Sequence, residues 1–361
     1  MVRVAGVDPG TGSFDVCVLE DGRFVYGEMF PTGEVFHRPE LLVKCLVKAG
    51  PLDLIVGPSG HGLPLKPLSQ ASDAELRLAA LVKSRDAESI LGLRRVLESL
   101  KASSLPLVML PSVKHLPTVP AHRKVNKIDL GTADKLCVAA LGMVDQAKRL
   151  GISLSCTSFL LVELGYAFTA LLTVRNGAII AGLGGTSGGL GFLSPGGLDG
   201  ELAYLLGKVS KRILIGGGAF HVSGLPKPEP ERLASEALKG VSRCKVAWEA
   251  YMEDLAGNAA YLAATTGKPK EILISGRLSR VEAFLREALK RLEGIAPVRR
   301  LEGFTGKVGQ AAQGAALLAD GLAGGKHANL IECLRLREAG DSLLDYIYLE
   351  GFNEVKREME G

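Results

Sequence analysis

An element order that runs twice along the chain constrains its fold more than any other feature. The chain opens with three apolar runs, Val2–Val7, Phe14–Leu19 and Phe24–Phe30, broken by Asp8-Pro9-Gly10-Thr11-Gly12 and by Asp21-Gly22. Short β-rich runs with Gly/Asp turns at this spacing predict a three-stranded antiparallel meander. A helix near 39–49, a strand at Leu52–Val56, helical periodicity over 72–101 and a strand at Leu105–Leu110 follow. Residues 111–131, rich in Pro, Lys and His, read as a loop, and Ala133–Leu150 reads as a helix. The order then restarts. Phe159–Glu163, Ala167–Val174 and Ala178–Leu183 are three strands, and residues 184–240 read as an irregular insert with short regular pieces around 200–207 and 212–215. A helix at 241–265, a strand at Glu271–Ser275, a helix at 279–292, a strand at Pro297–Leu301 and a helix at 308–322 complete the second pass. No residue-level repeat accompanies it, so the duplication rests on element order alone.

Length and charge bound the function. At 361 residues the chain favours two domains. Its 43 basic and 39 acidic residues leave a net charge of +4, which argues against a dedicated nucleic-acid binder. The longest apolar stretches, such as Phe159–Val162 and Ala178–Leu183, fall far short of the ~20 residues that span a bilayer. With no signal-peptide order at its start, the chain reads as cytoplasmic. The six cysteines are scattered, without a Cys-x-x-Cys pair or a nearby His, so neither a zinc site nor a disulfide framework is expected.

Three constellations carry chemistry. In the first, Gly10 and Gly12 tighten the turn between two strands, and Thr11 and Ser13 add hydroxyls beside its amides. Small residues, free N–H groups and a carboxylate suit a phosphate tail with its magnesium ion, and Asp8 at the strand end is the candidate for that carboxylate. An ordinary hairpin turn uses the same residue types. The second is Phe159–Ala167, which repeats strand, acid (Glu163), glycine (Gly165), strand. The third is Glu271–Arg277, a strand closed by Ser275-Gly276-Arg277 before a helix, where the glycine leaves room for a nucleoside on the helix start.

In their order and spacing these elements resemble the acetate and sugar kinase, heat-shock chaperone and actin superfamily of two-domain ATPases. That resemblance covers nearly the whole chain. It implies an α/β fold of two duplicated, ribonuclease H-like domains, each a mixed sheet flanked by helices. It divides the chain into an N-terminal domain over 1–132, an interdomain helix over 133–150 and a C-terminal domain over 151–310 that carries the insert 184–240. The segment ~308–361 would return to the first domain. Within the superfamily, Asp8-Pro9-Gly10-Thr11-Gly12-Ser13 is similar to the opening motif of butyrate and acetate kinases, and Gly197-Leu198-Asp199-Gly200-Glu201 to a substrate-side segment of butyrate kinases. The whole chain looks most like an archaeal group described as butyrate kinase-like. It departs from the acid kinases at Asp8, where they carry Asn, and at Asp15, where they carry Lys. Glu163 replaces the usual second-hairpin Asp, and Gly276 stands alone where a Gly-Gly pair is common.

The resemblance implies ATP and Mg²⁺ as cofactors and a phosphotransferase acting on a small carboxylate or hydroxyl compound, with a homodimer left open. Gly10, Thr11, Gly12, Ser13, Glu163, Gly165, Ser275, Gly276 and Arg277 would hold the nucleotide, with Asp8 and Glu163 ordering magnesium-bound water. Asp129-Leu130-Gly131-Thr132-Ala133-Asp134-Lys135-Leu136 is similar to a motif of the third type of pantothenate kinase, which makes Asp134 a candidate base; a dipole-stabilised helix start is the simpler reading. Arg123, Lys127 and Lys135 are candidates to meet an anionic substrate. An alternative is an ATPase switch or activator without a metabolite substrate.

Overall fold

The computed structural model describes residues 1–83 and 91–360. Strands β1 (Arg3–Pro9), β2 (Ser13–Glu20) and β3 (Arg23–Pro31) form the meander, each antiparallel to the next. With β4 (Leu54–Val56), β5 (Lys66–Pro67) and β6 (Leu107–Met109) they make a six-stranded sheet in the order β3-β2-β1-β4-β6-β5. Here β4 runs parallel to both β1 and β6, while the β1–β2, β2–β3 and β5–β6 pairs are antiparallel, so the sheet is mixed.

The second sheet repeats the plan. The strands β7 (Phe159–Leu164), β8 (Thr169–Arg175) and β9 (Ala178–Leu183) are again an antiparallel meander, extended in parallel by β10 (Ile272–Ser275) and β11 (Val298–Arg300) in the order β11-β10-β7-β8-β9. In each sheet the first strand of the meander stands next to a parallel strand. The duplication read from element order is therefore a duplication of strand topology as well.

Two helices join the sheets. Ala133–Leu150 and Gln310–Leu322 pack on each other, the first also against β7 and β8 and the second against β1, and an apolar core runs continuously from Val4 and Cys17 through both helices to Phe159, Leu161 and Leu273. Close approach depends on missing side chains. A Cβ on Gly314 would strike the backbone of Cys137, and one on Gly6 would strike Ala312 and Ala316, so helix–helix and helix–strand contacts both form at backbone distance. The outer faces are covered separately. Helices Glu40–Lys48 and Leu91–Ala102 cover the first sheet, and Ser242–Thr266 and Glu282–Leu292 cover the second.

Some elements differ from the sequence expectation. The helical stretch over 72–101 contains Asp73–Ala80, begun by a Ser72–Glu75 capping box, and Leu91–Ala102; its portion at 84–90 lies outside the described residues. Residues 111–131 hold a short helix at Ala121–Lys124 rather than loop throughout. The insert holds two further helices, Ala219–Ser223 and Pro230–Leu238. Pro230 stands in the first turn of its helix, where a missing N–H costs nothing, so its neighbourhood of prolines is not a breaker. The chain after Leu322 is two short helices, Ala328–Leu334 and Phe352–Glu360, the last packed against Asp73–Ala80. Among the described residues no helix is long and apolar enough to cross a membrane.

Candidate functional site

A cavity of about 1030 Å³ opens between the two sheets and collects the sequence constellations. One wall is the β1–β2 turn, from Asp8 through Ser13. Facing it are Glu163 and Gly165 from the β7–β8 turn, with Gly276 and Arg277 from the end of β10. The floor is the start of helix Ala133–Leu150, with Asp134 and Lys135, and the start of Gln310–Leu322.

The first turn is bare. Thr32 Oγ1 donates to Gly10 O at 2.7 Å and pins the turn to β3, but the Thr11 and Ser13 hydroxyls and the N–H groups of residues 10–12 find no partner among the described residues. Asp8 likewise has no donor within reach among them. Burial, followed by the nearby Asp134 carboxylate, pushes its carboxyl well above the usual carboxylate range, with Lys135 opposing. Its neighbour Asp15 is half committed to structure. Asp15 Oδ2 accepts from Gly309 N at 2.5 Å at the start of the helix Gln310–Leu322, while Oδ1 is buried without a partner among the described residues.

The second turn is occupied by the chain's own cation. Lys135 Nζ donates to Asp134 Oδ2 at 2.6 Å and to Glu163 Oε1 at 2.8 Å. Burial would lower the ammonium's pKa, but Asp134 and Glu163 overcome that and raise it, so it stays charged. For Glu163 burial wins and raises the carboxyl against Lys135. Asp134 goes the other way: burial is outweighed by Lys135 and by the Thr132 hydroxyl on Oδ1, which hold it below the usual range. Glu163 Oε2 and Ser275 Oγ, neighbours in register on β7 and β10, are both buried without a partner among the described residues.

At the end of β10, Gly276 adopts φ +87°, and a Cβ there would stand 2.5 Å from Leu164 O. Only glycine fits that turn. Its N–H is held by Gln310 Oε1 at 3.1 Å, and Gln310 Nε2 donates to Leu301 O at 2.7 Å, which ties the turn to the connecting helix. Arg277 crosses the cleft. Its guanidinium lies 5.0 Å from the Tyr166 ring centroid, and it occupies the space a side chain on Gly12 would need.

A family model described as "Protein of unknown function (DUF1464)" matches residues 6–349. The chain belongs to that family. No curated protein matches the sequence. Among solved structures, this DUF1464 chain is similar to a propionate kinase from Francisella tularensis subsp. tularensis SCHU S4, at 12% identity over 87% of this chain and 99% of that one, with TM-score 0.62. It is similar to Porphyromonas gingivalis acetate kinase, at 13% identity over 88% and 98% with TM-score 0.58. A ROK family protein from Streptococcus pneumoniae TIGR4, in complex with sucrose, matches at 14% identity over 92% and 98% with TM-score 0.51. At these identities the likeness is one of fold: two mixed sheets flanked by helices, in the two-domain arrangement of the actin-like ATPases.

The DUF1464 cleft departs from the sequence expectation at several residues. Arg123 and Lys127 are not in it. The Arg123 guanidinium donates to Ile180 O at 2.8 Å and Thr265 O at 3.1 Å, joining the middle of β9 to the end of helix Ser242–Thr266, while the Lys127 carbonyl accepts from Lys114. Lys135 faces Asp134 and Glu163 rather than open space. Asp134 has a donor on each oxygen and is a poor base. Other cleft residues had no role assigned from the sequence: Gln310, His61, Asp129, Thr186 and Lys211. Asp129 opens the Asp129–Leu136 motif, but His61, Thr186, Lys211 and Gln310 belong to none.

Proposed function

We propose that this DUF1464 protein is an ATP- and Mg²⁺-dependent phosphotransferase acting on a small metabolite, with a short-chain carboxylate such as butyrate, or a hydroxyl compound, as acceptor. One observation carries the reading: an unpaired Asp8, a bare Gly10–Ser13 turn and the Gly276 turn converge on one cleft between two sheets of the same topology. The likeness in fold to acetate, propionate and sugar kinases supports it. We place residues 1–132 and the returning segment 308–361 in one lobe and 151–310 in the other, with helix 133–150 between them.

The N–H groups and hydroxyls of Gly10–Ser13 would grip the β- and γ-phosphates. Gly276 would admit adenosine beside Gln310, and Arg277, stacked on Tyr166, would reach the phosphates from the other lobe. Among the described residues no three His, Cys, Asp or Glu gather to hold a metal alone. An ion held mainly by phosphate and water, with Asp8 and Glu163 reaching it through that water, fits that donor set. Bound there, magnesium would neutralise charge on the transferred phosphoryl group. Glu163, half taken by Lys135, would serve through Oε2. Lys135 holds Asp134 and Glu163 in place and keeps a positive charge beside the transferred group.

A coupled ADP-release screen over short-chain acids, sugars and pantothenate-like alcohols tests the reading. Release that rises with one acceptor class supports it. Release that ignores every acceptor would instead favour an ATPase switch.

A further inference from the structure

Beyond the phosphate end, the cleft has a second, basic end. The loop after β4 is pinned to the floor: Ala133 N donates to Gly60 O at 3.0 Å, which sets His61 beside the turn that carries Asp134. Lys211, from the 3-10 turn Lys211–Ile215 of the insert, lines the same cavity from the other side. Neither the imidazole nor the ammonium has a hydrogen-bond or ion-pair partner among the described residues. Asp129 stands near both, but its carboxylate is committed. Oδ1 accepts from Gly131 N at 3.1 Å, and Oδ2 accepts from Thr186 N at 3.0 Å and Thr186 Oγ1 at 2.9 Å. Ser59 is committed as well, donating to Gly57 O at 3.0 Å and accepting from Leu110 N at 2.8 Å. The remaining wall here is apolar, with Ala79, Ala80, Leu110 and Leu214.

Resting on the phosphotransferase reading, we infer that Lys211 and His61 form the acceptor subsite and that it takes the carboxylate of a small, largely apolar acid. A polyhydroxylated acceptor needs several free polar partners, and Ser59, Asp129 and Thr186 are already in use. A hydroxyl nucleophile needs a base, and both Asp134 oxygens hold donors. A carboxylate needs neither. Lys211 supplies one positive charge for one negative, and the His61 imidazole, kept neutral by burial, donates a hydrogen bond beside it. The step balances without proton transfer. A carboxylate oxygen bonds to the γ-phosphorus, the bond from that phosphorus to the β–γ bridging oxygen breaks, and its electron pair leaves with ADP, giving an acyl phosphate.

Ligand-detected NMR on the full chain, without nucleotide, tests the subsite by itself. Butyrate should bind and butyramide, its neutral counterpart, should not. Lys211→Met should weaken butyrate at least about tenfold, and Lys211→Arg should restore most of the binding. His61→Phe should weaken it less, and thermal melts of each variant report whether it folds. Equal binding of butyrate and butyramide to the wild type would overturn the inference, as would full butyrate affinity in a folded Lys211→Met protein. Failure of the phosphotransferase reading looks different: butyrate binds, but no nucleotide does.

Discussion

The two hairpins share a strand plan and differ in what they present. Among the described residues, the β1–β2 turn offers amides and two hydroxyls without partners and a carboxylate without a donor. At the corresponding place on β7, Glu163 lies under Lys135, and the following turn carries Tyr166 with Arg277 stacked on it. The duplicated sheet therefore supplies geometry, and a few turn positions decide what each copy presents to the cleft. The first is open to a ligand; the second is already neutralised by the protein itself.

The largest expected effect breaks the second hairpin. Lys135→Met strands two buried carboxylates and should cost about 3–5 kcal/mol in a denaturant melt. Adding Glu163→Gln should recover part of that loss. If the single variant is as stable as the wild type, the Lys135 bridge is not what holds this side together. Asp8→Asn probes the first hairpin. Its turnover should fall about 10²–10³-fold, worth about 3–4 kcal/mol in the barrier, with a smaller change in ATP affinity. Glu163→Gln should cost less turnover than Asp8→Asn, and the reverse ranking would invert the comparison.

Acid should loosen the first half before the second. Burial drives the His115 and His61 pKa values down from 6.5 to about 4, with Lys124 and Lys114 adding to the effect at His115 and Lys211 at His61. Folded values below the unfolded one mean that this stability is full above about pH 6.5 and is lost as pH falls through 4. For fully buried His115 it amounts to at most about 3 kcal/mol. Melts from pH 7 to 4 should show the loss, and His115→Gln should flatten it. Hydrogen exchange should open β4 and β6 before β7 and β8. Gly276→Ala is the smallest change, at about 1–3 kcal/mol, because alanine must take a left-handed φ against Leu164 O. A melt unchanged by it would mean the turn can relax.

Strands were legible in the sequence because each meander alternates apolar runs with Gly/Asp turns, and a buried central strand such as β2 leaves little choice. The Asp8–Ser13 turn was legible because its residue types are local. Pairing was not. Lys135 adjoins Asp134 in sequence, but its bond to Glu163 spans 28 residues and exists only once β7 meets the connecting helix. Arg123 and Lys127 misled for the same reason: a basic run before Asp134 gives no direction, and in the fold it turns toward β9. His61 and Lys211 carry no spacing signal at all, since a loop and an insert bring them together. Prolines 226, 228 and 230 hid a helix because a breaker inside a helix is tolerated at its start.

Calorimetric titration of ATP with and without magnesium tests the central claim, that the open hairpin and the Gly276 turn bind a metal-bound nucleotide. Saturable heat is expected with magnesium, weakened when it is removed, together with a magnesium response that Asp8→Asn largely abolishes. No heat at millimolar nucleotide in either condition, or a response to magnesium that Asp8→Asn leaves intact, would contradict it.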